Sequence, residues 1–524
     1  MRSLKIGVID VLGKSVSKSL FSKYSRANGA SIMPQVVAVW CEELGHEVHY
    51  AYYSGYELMC GGIPDDADVV FITAFSHSAL LSYALSNYYR AKGAVTVIGG
   101  PHVRSYPEDA IKYFDYAVGL ADKATIENVL LDCAPNRPEG RYVSAERQPG
   151  YLPGIQQRWK FQGPVLAHAP LIKVIPIIGS LGCPYTCSFC IDSLVPYQPL
   201  DFDALGEELR FLAGHRLPRS IIAWHDPNFG IRFDDYLNVI EEAVPQHPLS
   251  FLAESSLSLL TEKNLKRLRR NGFKVILPGI ESWFDIGDKS KLKAVKGEEK
   301  VRRIAEHARL VMEYIPYMQG NLIFGLDADE GPEPFELTKR FVDLVPGLYP
   351  YFSLLTSYGR SAPDNLRYQQ HGRVLNVPFH YLNQLHAMNV RPLNYDWRTF
   401  FDHVCDTYAY AFSSRAIGRR FLARKPINNR LDQLIRGVFS ERRHKGGNMR
   451  RMRQRLKDPQ ALRYFDGETD ELPEFLVEPI QRDLGPMWEW LPRGAIYHDP
   501  NAYFKSVEAG RDKVPEAHAG MALA

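Results

Sequence analysis

The chain has 524 residues and a mass of 59.6 kDa, enough for about three domains with cores of their own. Hydrophobic residues make up 45% and charged residues 23%, which excludes wholesale disorder, collagen-like repeats and a small disulfide-stapled scaffold. The net charge is only +3, so no overall field favours nucleic acid or membrane.

The amino terminus runs directly into a strand-like pattern, with no signal-peptide features. No apolar run is long enough for a transmembrane helix. Seven cysteines, an odd number without a regular framework, argue against structural disulfides in an oxidising compartment. We therefore expect a cytoplasmic protein.

Residues 1–135 alternate short β-branched runs with amphipathic stretches of helical length. The predicted strands are 5–11, 48–53, 69–74 and 95–99, and the predicted helices lie near 32–45, 79–92 and 107–114. This alternation implies parallel strands joined by right-handed crossovers. The pattern predicts a doubly wound, Rossmann-like α/β domain whose ligand site lies beyond the carboxyl ends of the strands.

Residues 136–170 are rich in Pro and Gly and are predicted to be a linker. A second α/β alternation occupies 171–345. Its predicted strands are 172–178, 220–224, 250–253, 275–277 and 321–324, and its predicted helices lie near 203–214, 234–245, 261–271 and 298–313. About six such units suit a partial or full TIM-like β/α barrel, which carries its chemistry on the loops after the strands.

Residues 346–524 are predicted to be mainly helical. The basic segment 415–457 carries a net charge of +13, from fifteen Lys or Arg and two acidic residues. With its interleaved apolar residues it could lie on anionic lipid, or grip RNA or a phosphate-bearing substrate. The alternative is a solvated helical face packed by its apolar side against the barrel. The polar segment 386–392 could be a lid over the barrel mouth or a structural loop.

Three of the seven cysteines, Cys183, Cys187 and Cys190, form a CxxxCxxC motif just after an apolar strand. Three thiolates on one short loop can ligate three irons of a four-iron cluster and leave the fourth open. Structural zinc is a weaker interpretation, because it requires four closed ligands and no further Cys or His pair follows at zinc spacing. Three buried, reduced cysteines would be the simplest alternative.

These motifs resemble the radical S-adenosylmethionine (SAM) superfamily, whose open iron binds the cosubstrate. Phe189, before the last cysteine, fits that pattern. Further family-like motifs occur in order at 224–229, 253–256, 278–282 and 321–327. The resemblance covers about 170–345 and implies that Cys183, Cys187 and Cys190 bind a [4Fe–4S] cluster.

The same resemblance implies cofactor-binding roles for Phe189, Asp226, Glu254 and Glu281 at the barrel mouth. The sequence departs from the family where a Gly-Gly-Glu motif is common, because His225-Asp226 stands there. Glu254 and Glu281 could equally be structural groups that cap a helix or bond to the backbone.

Gly99-Gly100 ends a predicted strand of the first domain, and Ser78 follows another. A glycine pair lets the backbone approach a bulky, flat ligand. Next to the barrel, this domain resembles the cobalamin-binding domain of one branch of the superfamily, and Ser78, Gly99 and Gly100 would cradle the corrin. The DxHxxG motif with its cobalt-binding histidine is absent, and residues 10–15 stand in its place. A degenerate domain without cobalamin is the alternative.

The resemblance implies a cobalamin-dependent radical SAM enzyme, most often a methyltransferase. One SAM would methylate the cobalamin, and a second would yield the 5′-deoxyadenosyl radical that activates a carbon of the substrate, a small molecule or a lipid. A reductant such as flavodoxin or ferredoxin would be its partner. The alternatives are cyclisation, rearrangement, dehydrogenation or tRNA modification, and a non-catalytic iron–sulfur or cobalamin sensor. No recognisable RNA-binding module is present, so nucleic acid is not expected as a partner.

Overall fold

The computed structural model describes residues 2–12, 30–169, 172–215, 217–245, 249–284, 295–423 and 427–502. They form two mainly parallel sheets with surrounding helices, followed by a helical carboxyl-terminal region. None of the described helices is both long enough and apolar enough to cross a bilayer.

The first domain contains a seven-stranded sheet in the order β3-β2-β1-β4-β5-β6-β7. Its strands are β1 (Lys5–Leu12), β2 (Glu47–Ser54), β3 (Glu57–Cys60), β4 (Val69–Ala74), β5 (Val95–Gly99), β6 (Tyr116–Val118) and β7 (Arg141–Val143). Only the β2–β3 pairing is antiparallel among these strands. The described helices around it are Ile32–Glu43, Ala79–Ala91, Pro101–Ser105, Pro107–Tyr113 and Lys123–Asp132.

The strand order of this sheet reverses at β1, which pairs with β2 on one side and with β4 on the other. β1 is buried along almost its whole length, as expected of a parallel strand with helices on both faces. The crevice at the carboxyl ends of β1 and β4 is therefore the ligand position of a doubly wound sheet.

The segment predicted as a linker, 136–170, is more ordered than expected. It contributes β7 to the first sheet and then forms the helix Ile155–Ala167. Pro164 lies inside this helix, at an exposed position. Burial of Ile155, Phe161 and Val165 stabilises the helix against the cost of an interior proline.

The second sheet has six parallel strands in the order β15-β14-β13-β12-β11-β8. They are β8 (Lys173–Ile177), β11 (Ser220–Trp224), β12 (Phe251–Ser256), β13 (Phe273–Glu281), β14 (Tyr317–Phe324) and β15 (Tyr349–Leu354), while β9 (Ser180–Leu181) and β10 (Gln198–Pro199) form a small ribbon. The helices between them are Phe202–Gly214, Phe233–Ala243, Glu262–Arg270, Gly297–Tyr314 and Glu333–Leu344.

β8 and β15 form the two edges of this sheet, so the β/α barrel is partial. β15 lies beyond the predicted limit of the barrel at residue 345. Its Pro350 pairs with Gly320 of β14, and proline is tolerated there because β15 is an edge strand.

The carboxyl-terminal region is mainly helical. Its helices are Pro363–Gln370, Trp397–Ala411, Ser414–Ala423, Ile427–Ile435, Gly446–Arg455, Pro459–Phe465 and Glu474–Leu484, with a π-helix at Arg436–Lys445. The segment 386–392 is packed rather than lid-like: Asn389 is fully buried and exchanges two hydrogen bonds with the Ser357 backbone. The predicted fold class, a doubly wound domain, a partial β/α barrel and a helical carboxyl-terminal region, is confirmed.

A buried polar network joins the first domain to the barrel. Arg158, on the helix Ile155–Ala167, donates hydrogen bonds to Gln35 (3.1 Å), to the Pro153 carbonyl (3.0 Å) and to Glu208 (3.3 Å). Both charged side chains are almost completely buried. Burial raises the pKa of Glu208, and the Arg158 guanidinium opposes that rise.

We expect Arg158→Ala to lower the free energy of unfolding by about 3–5 kcal/mol, because it leaves the buried Glu208 carboxylate without its cation. Urea unfolding measures the effect. Lys160→Ala is the matched control: Lys160 lies on the same helix but forms an exposed ion pair with Glu42, so its loss should cost at most about 1 kcal/mol. Equal effects of the two substitutions would contradict a structural role for this network.

Candidate active site at the domain interface

The loop that carries the three cysteines, 179–195, starts where β8 ends. Cys183 and Cys187 are buried, and Cys190 is partly exposed. The Cys190 amide donates to the Cys187 carbonyl at 3.0 Å, which curls the loop between them. Gly182 has a φ of 66°, and a Cβ there would overlap the Pro196 carbonyl oxygen. The position before Cys183 therefore requires glycine.

Asp226 holds the base of this loop. Its carboxylate accepts hydrogen bonds from the Gly179 amide (2.9 Å), the Ser180 hydroxyl (2.6 Å) and the Tyr236 hydroxyl (2.7 Å). Burial raises the pKa of Asp226, and these three donors oppose the rise. The sequence predicted a cofactor-binding role for Asp226, but the structure directs its carboxylate at the protein and gives it a positioning role.

Two other parts of the chain also hold the cluster loop. Ser188 donates to the Asp364 carboxylate at 2.7 Å, and the Asp364 amide donates back to the Ser188 carbonyl at 2.9 Å. Asp192 pairs with Arg104 of the first domain at 3.4 Å. The loop is thus in contact with all three regions of the chain.

The donor set of the loop fits an iron–sulfur cluster. It consists of three cysteines on one curled segment, and thiolates are the ligands of such clusters. Among the residues that the structure describes, no three His, Cys, Asp or Glu side chains converge on a site for a single metal ion. Cluster thiolates have a different requirement, because each binds its own iron at a separate corner.

Three further predicted site residues lie around the barrel mouth. Phe189 is half-buried within the cluster loop, Glu254 is an exposed residue of β12, and Glu281 is the half-buried last residue of β13. β12 and β13 are parallel neighbours, so the carboxyl ends of both strands lie on the same edge of the sheet. This edge faces the reaction side of a β/α barrel.

A cavity of about 380 Å³ lies between the first domain and the cluster loop; we call it the interdomain cavity. On one side it is lined by the carboxyl ends of β1, β4, β5 and β6, at residues such as Thr73, Gly99 and Gly119. On the other side are Gly182 and Ile191, the residues that flank the three cysteines. The cluster loop and the switch point of the first sheet therefore share one cavity.

The glycine pair predicted to cradle a flat ligand lies on this cavity. A Cβ on Gly99 would meet nothing within 4 Å, whereas a Cβ on Gly100, at a φ of 97°, would lie 2.9 Å from Thr73 Cγ2. Val8, Val37 and other apolar residues also line the cavity. A glycine edge without side chains, together with apolar lining residues, fits a bulky planar cofactor.

Ser78 lies elsewhere. It lines a second cavity, of about 390 Å³, between the first domain and the carboxyl-terminal region. Its hydroxyl donates to the Phe75 carbonyl at 3.0 Å. The structure therefore does not bring Ser78 together with Gly99 and Gly100.

The segment that stands in place of the DxHxxG motif begins with Asp10. This residue is buried in β1 and accepts hydrogen bonds from Ser31 (2.7 Å and 2.9 Å) and Tyr50 (3.2 Å). Burial raises the pKa of Asp10 to about 6. Residues 13–15 lie outside the described residues. His225 lines the interdomain cavity from the barrel side.

Arg104, Asp192 and Asp364 could not be identified from the sequence as residues that hold the cluster loop, because their contacts join positions that are distant in the chain.

Residues 177–337 match the family model of the radical SAM superfamily. The chain therefore carries a radical SAM domain, as predicted, and such a domain uses a [4Fe–4S] cluster and S-adenosylmethionine. The match begins at the last residue of β8, continues past β14 into the helix Glu333–Leu344, and includes all three cysteines.

Two curated relatives extend the similarity beyond that domain. The chain is 26% identical to the bacteriochlorophyllide d C-8(2)-methyltransferase of Chlorobaculum tepidum, over 69% of this chain and 82% of the relative. It is 23% identical to the bacteriochlorophyllide d C-12(1)-methyltransferase of the same organism, over 68% of this chain and 73% of the relative.

Solved structures share the fold at low identity. The radical S-adenosylmethionine methyltransferase TsrM from Kitasatospora setae aligns with a TM-score of 0.51 and 12% identity, over 71% of this chain and 78% of that chain. The cobalamin-dependent S-adenosylmethionine radical enzyme OxsB aligns with a TM-score of 0.52 and 12% identity, over 98% of this chain and 82% of that chain.

Proposed function

We propose that this chain is a cobalamin-dependent radical SAM enzyme that methylates an unactivated carbon of a small molecule. The observation that carries the proposal is the shared cavity: the cysteine loop and the glycine pair of the first sheet line the same space. The names of the relatives and of the structural neighbours, which include methyltransferases and a cobalamin-dependent enzyme, support the same assignment.

In this proposal Cys183, Cys187 and Cys190 hold the cluster, and Gly99 and Gly100 provide the surface for the corrin. When bound, the cluster supplies the electron that cleaves SAM to a carbon radical, and the cobalamin carries the methyl group. Phe189, Glu254 and Glu281, at the barrel mouth, would contact SAM. Asp226 holds the cluster loop in position through its three hydrogen bonds.

The experiment is anaerobic reconstitution with iron, sulfide and hydroxocobalamin, followed by incubation with SAM and dithionite. We expect the spectra of a bound cluster and a bound corrinoid, and formation of 5′-deoxyadenosine and S-adenosylhomocysteine. 5′-Deoxyadenosine without bound corrinoid would overturn cobalamin dependence and favour another radical reaction. A bound cluster and corrinoid without either product would favour a sensor.

The reaction requires an external electron donor. A flavodoxin or a ferredoxin is the class of protein that we propose for this role. Replacing dithionite by reduced flavodoxin in the same assay tests the proposal, and product formation within the same time course is expected.

We also propose that part of the basic segment contacts an anionic membrane surface. On the helices Ser414–Ala423 and Ile427–Ile435, Leu422 is 73% exposed and Ile427 is 60% exposed, and Leu431 and Leu434 are exposed as well. Amphipathic helices bind anionic lipid when they combine exposed apolar residues with neighbouring Lys and Arg side chains.

Not every cation of the basic segment is available to lipid. Arg420 is buried and donates to the Leu348 and Ala411 carbonyls, and Arg436 donates to Tyr317 and Gln319. Lys445 pairs with the buried Glu441 at 2.8 Å. Arg424 and Lys425 lie outside the described residues. The alternative of a helical face packed on the barrel therefore describes only part of the segment.

We expect the protein to co-sediment with phosphatidylglycerol vesicles at low salt and to be released at high salt. Leu431→Glu should weaken binding by about tenfold or more, because it removes one apolar side chain from the contact. Leu393→Glu, at a similarly exposed leucine outside the segment, is the control. Equal sedimentation of both variants would refute this surface.

A further inference from the structure

The second cavity, which we call the histidine-lined cavity, has a volume of about 390 Å³ and is separate from the three cysteines. Tyr56, His77 and Ser78 of the first domain form one wall, and the helices Gly446–Arg455 and Glu474–Leu484 form the opposite wall. Four histidines contribute to its lining: His77, His380, His386 and His444.

Several buried polar groups of this cavity have no hydrogen-bond partner among the described residues. They are His77 Nε2, His444 Nε2 and the Asn448 side-chain amide nitrogen. Asn448 is only 7% exposed, and its oxygen already accepts a hydrogen bond from Arg451, which identifies the unpaired atom as the nitrogen donor. An unpaired buried donor is costly, so the cavity calls for a ligand that supplies acceptors.

The charges around the cavity favour an anion. Arg451, Arg455 and Arg482 line it together with Glu478 and Asp483. Arg482 is paired with Asp483 at 2.9 Å, which leaves Arg451 and Arg455 opposite a single carboxylate, Glu478. The matching acceptors for these cations and for the Asn448 amide are the oxygens of a carboxylate or a phosphate.

The histidines act as neutral hydrogen-bonding groups. Burial lowers the pKa of His77 to about 4 and that of His380 to about 3. The pKa of His386 is lowered to about 3 by burial and by neighbouring histidine and cationic side chains. A neutral imidazole can donate from one nitrogen, so His77 and His444 can add donors without the cost of burying a charge.

The histidine-lined cavity lies next to the proposed reaction site. Phe75 lines the interdomain cavity, and its ring stacks on His77 at a centroid distance of 5.9 Å. Phe75 and His77 thus connect the linings of the two cavities along the segment after β4. On the barrel side, the Leu354 amide at the end of β15 donates to the Gln384 carbonyl at 2.9 Å. This hydrogen bond connects the barrel to the loop that lines the cavity with His386.

We propose that the histidine-lined cavity binds the carboxylate or phosphate group of the substrate, while Phe475, Leu476 and Met452 contact its hydrocarbon part. This inference rests on the proposed function for the identity of the ligand as substrate. The site itself is defined by the unpaired donors, the two arginines and the apolar wall.

The test is calorimetric titration of the reconstituted full chain with phenyl phosphate and with phenylacetate. We expect saturable binding of at least one of them, and the preferred probe distinguishes phosphate from carboxylate. Arg451→Gln should weaken that binding at least tenfold, because a charge-assisted hydrogen bond is lost. Arg453→Gln is the matched control, since Arg453 lies on the same helix and pairs with Asp402 instead.

Asn448→Leu separates ligand binding from a structural role. The substitution removes the unpaired buried donor and also the oxygen that accepts from Arg451. These two losses have opposite effects on stability, so we expect weaker probe binding together with a nearly unchanged melting temperature of the ligand-free protein. A fall in melting temperature without a change in binding would overturn the proposal. Absence of saturable binding of both probes would do the same.

The binding measurement needs neither SAM nor reductant. It can therefore succeed when no methyl transfer occurs, and it can fail while 5′-deoxyadenosine is still produced. The outcome for this cavity is in this way distinguishable from the outcome for the proposed function.

Discussion

Simultaneous replacement of Cys183, Cys187 and Cys190 by alanine is expected to abolish iron and sulfide uptake and all SAM cleavage. The three thiols are the only cysteines within the matched domain, and an iron–sulfur cluster has no other ligands of this kind on the loop. The loss should be complete rather than partial, because no electron reaches SAM without the cluster. Iron and sulfide analysis after anaerobic reconstitution, followed by assay of 5′-deoxyadenosine, measures the result.

Cys133→Ala is the matched control for this prediction. Cys133 is a free, partly exposed cysteine of the first domain, far in the chain from the cluster loop. It should leave iron content and SAM cleavage unchanged. If the triple variant took up as much iron and sulfide as the unmodified protein, the cluster would have to be bound elsewhere in the chain.

Gly99→Leu is expected to abolish cobalamin binding while leaving the fold and the cluster intact. A Cβ at this position meets nothing within 4 Å, and Gly99 lines the interdomain cavity, so we expect the new side chain to extend into that cavity without a clash at its Cβ. Ligand and side chain would then compete for the same space, and overlap of this kind has no low-cost solution in a packed site. The readouts are corrinoid absorbance after gel filtration and iron content of the same sample.

Gly100→Ala gives the contrasting result. Gly100 has a φ of 97°, and a Cβ there would lie 2.9 Å from Thr73 Cγ2. The substitution therefore strains the backbone and destabilises the folded protein. We expect a loss of about 1–3 kcal/mol in the free energy of unfolding.

Full corrinoid binding by the Gly99→Leu variant would contradict the first of these two predictions. The glycine pair would then not be part of the proposed cobalamin site.

Most strands could be predicted from the sequence because buried parallel strands are short, uniformly apolar runs. The predicted strands 69–74, 95–99 and 220–224 agree with β4, β5 and β11. β15 was not predicted, since Pro350 interrupts its pattern, and an edge position tolerates a proline that a central strand would not. The helix Ile155–Ala167 was hidden in the same way by Gly163 and Pro164, although its buried face stabilises it.

The site was predictable only where it is local in sequence. The three cysteines and the glycine pair are each contiguous motifs, and the structure places the glycine pair and the residues that flank the cysteines on one cavity. Asp226 was identified at the right strand end, but its partners Gly179, Ser180 and Tyr236 come from separate segments, so its positioning role is visible only in three dimensions. The histidine-lined cavity draws on residues from Tyr56 to Asp483, and no spacing pattern links them.

The two outer contacts of the cluster loop, Ser188 with Asp364 and Asp192 with Arg104, bear on how the enzyme matures. Both partners lie outside the segment that matches the radical SAM model. We therefore expect the loop to adopt its final shape only once the regions before and after the barrel have docked, and metal insertion to follow synthesis of the carboxyl-terminal helices.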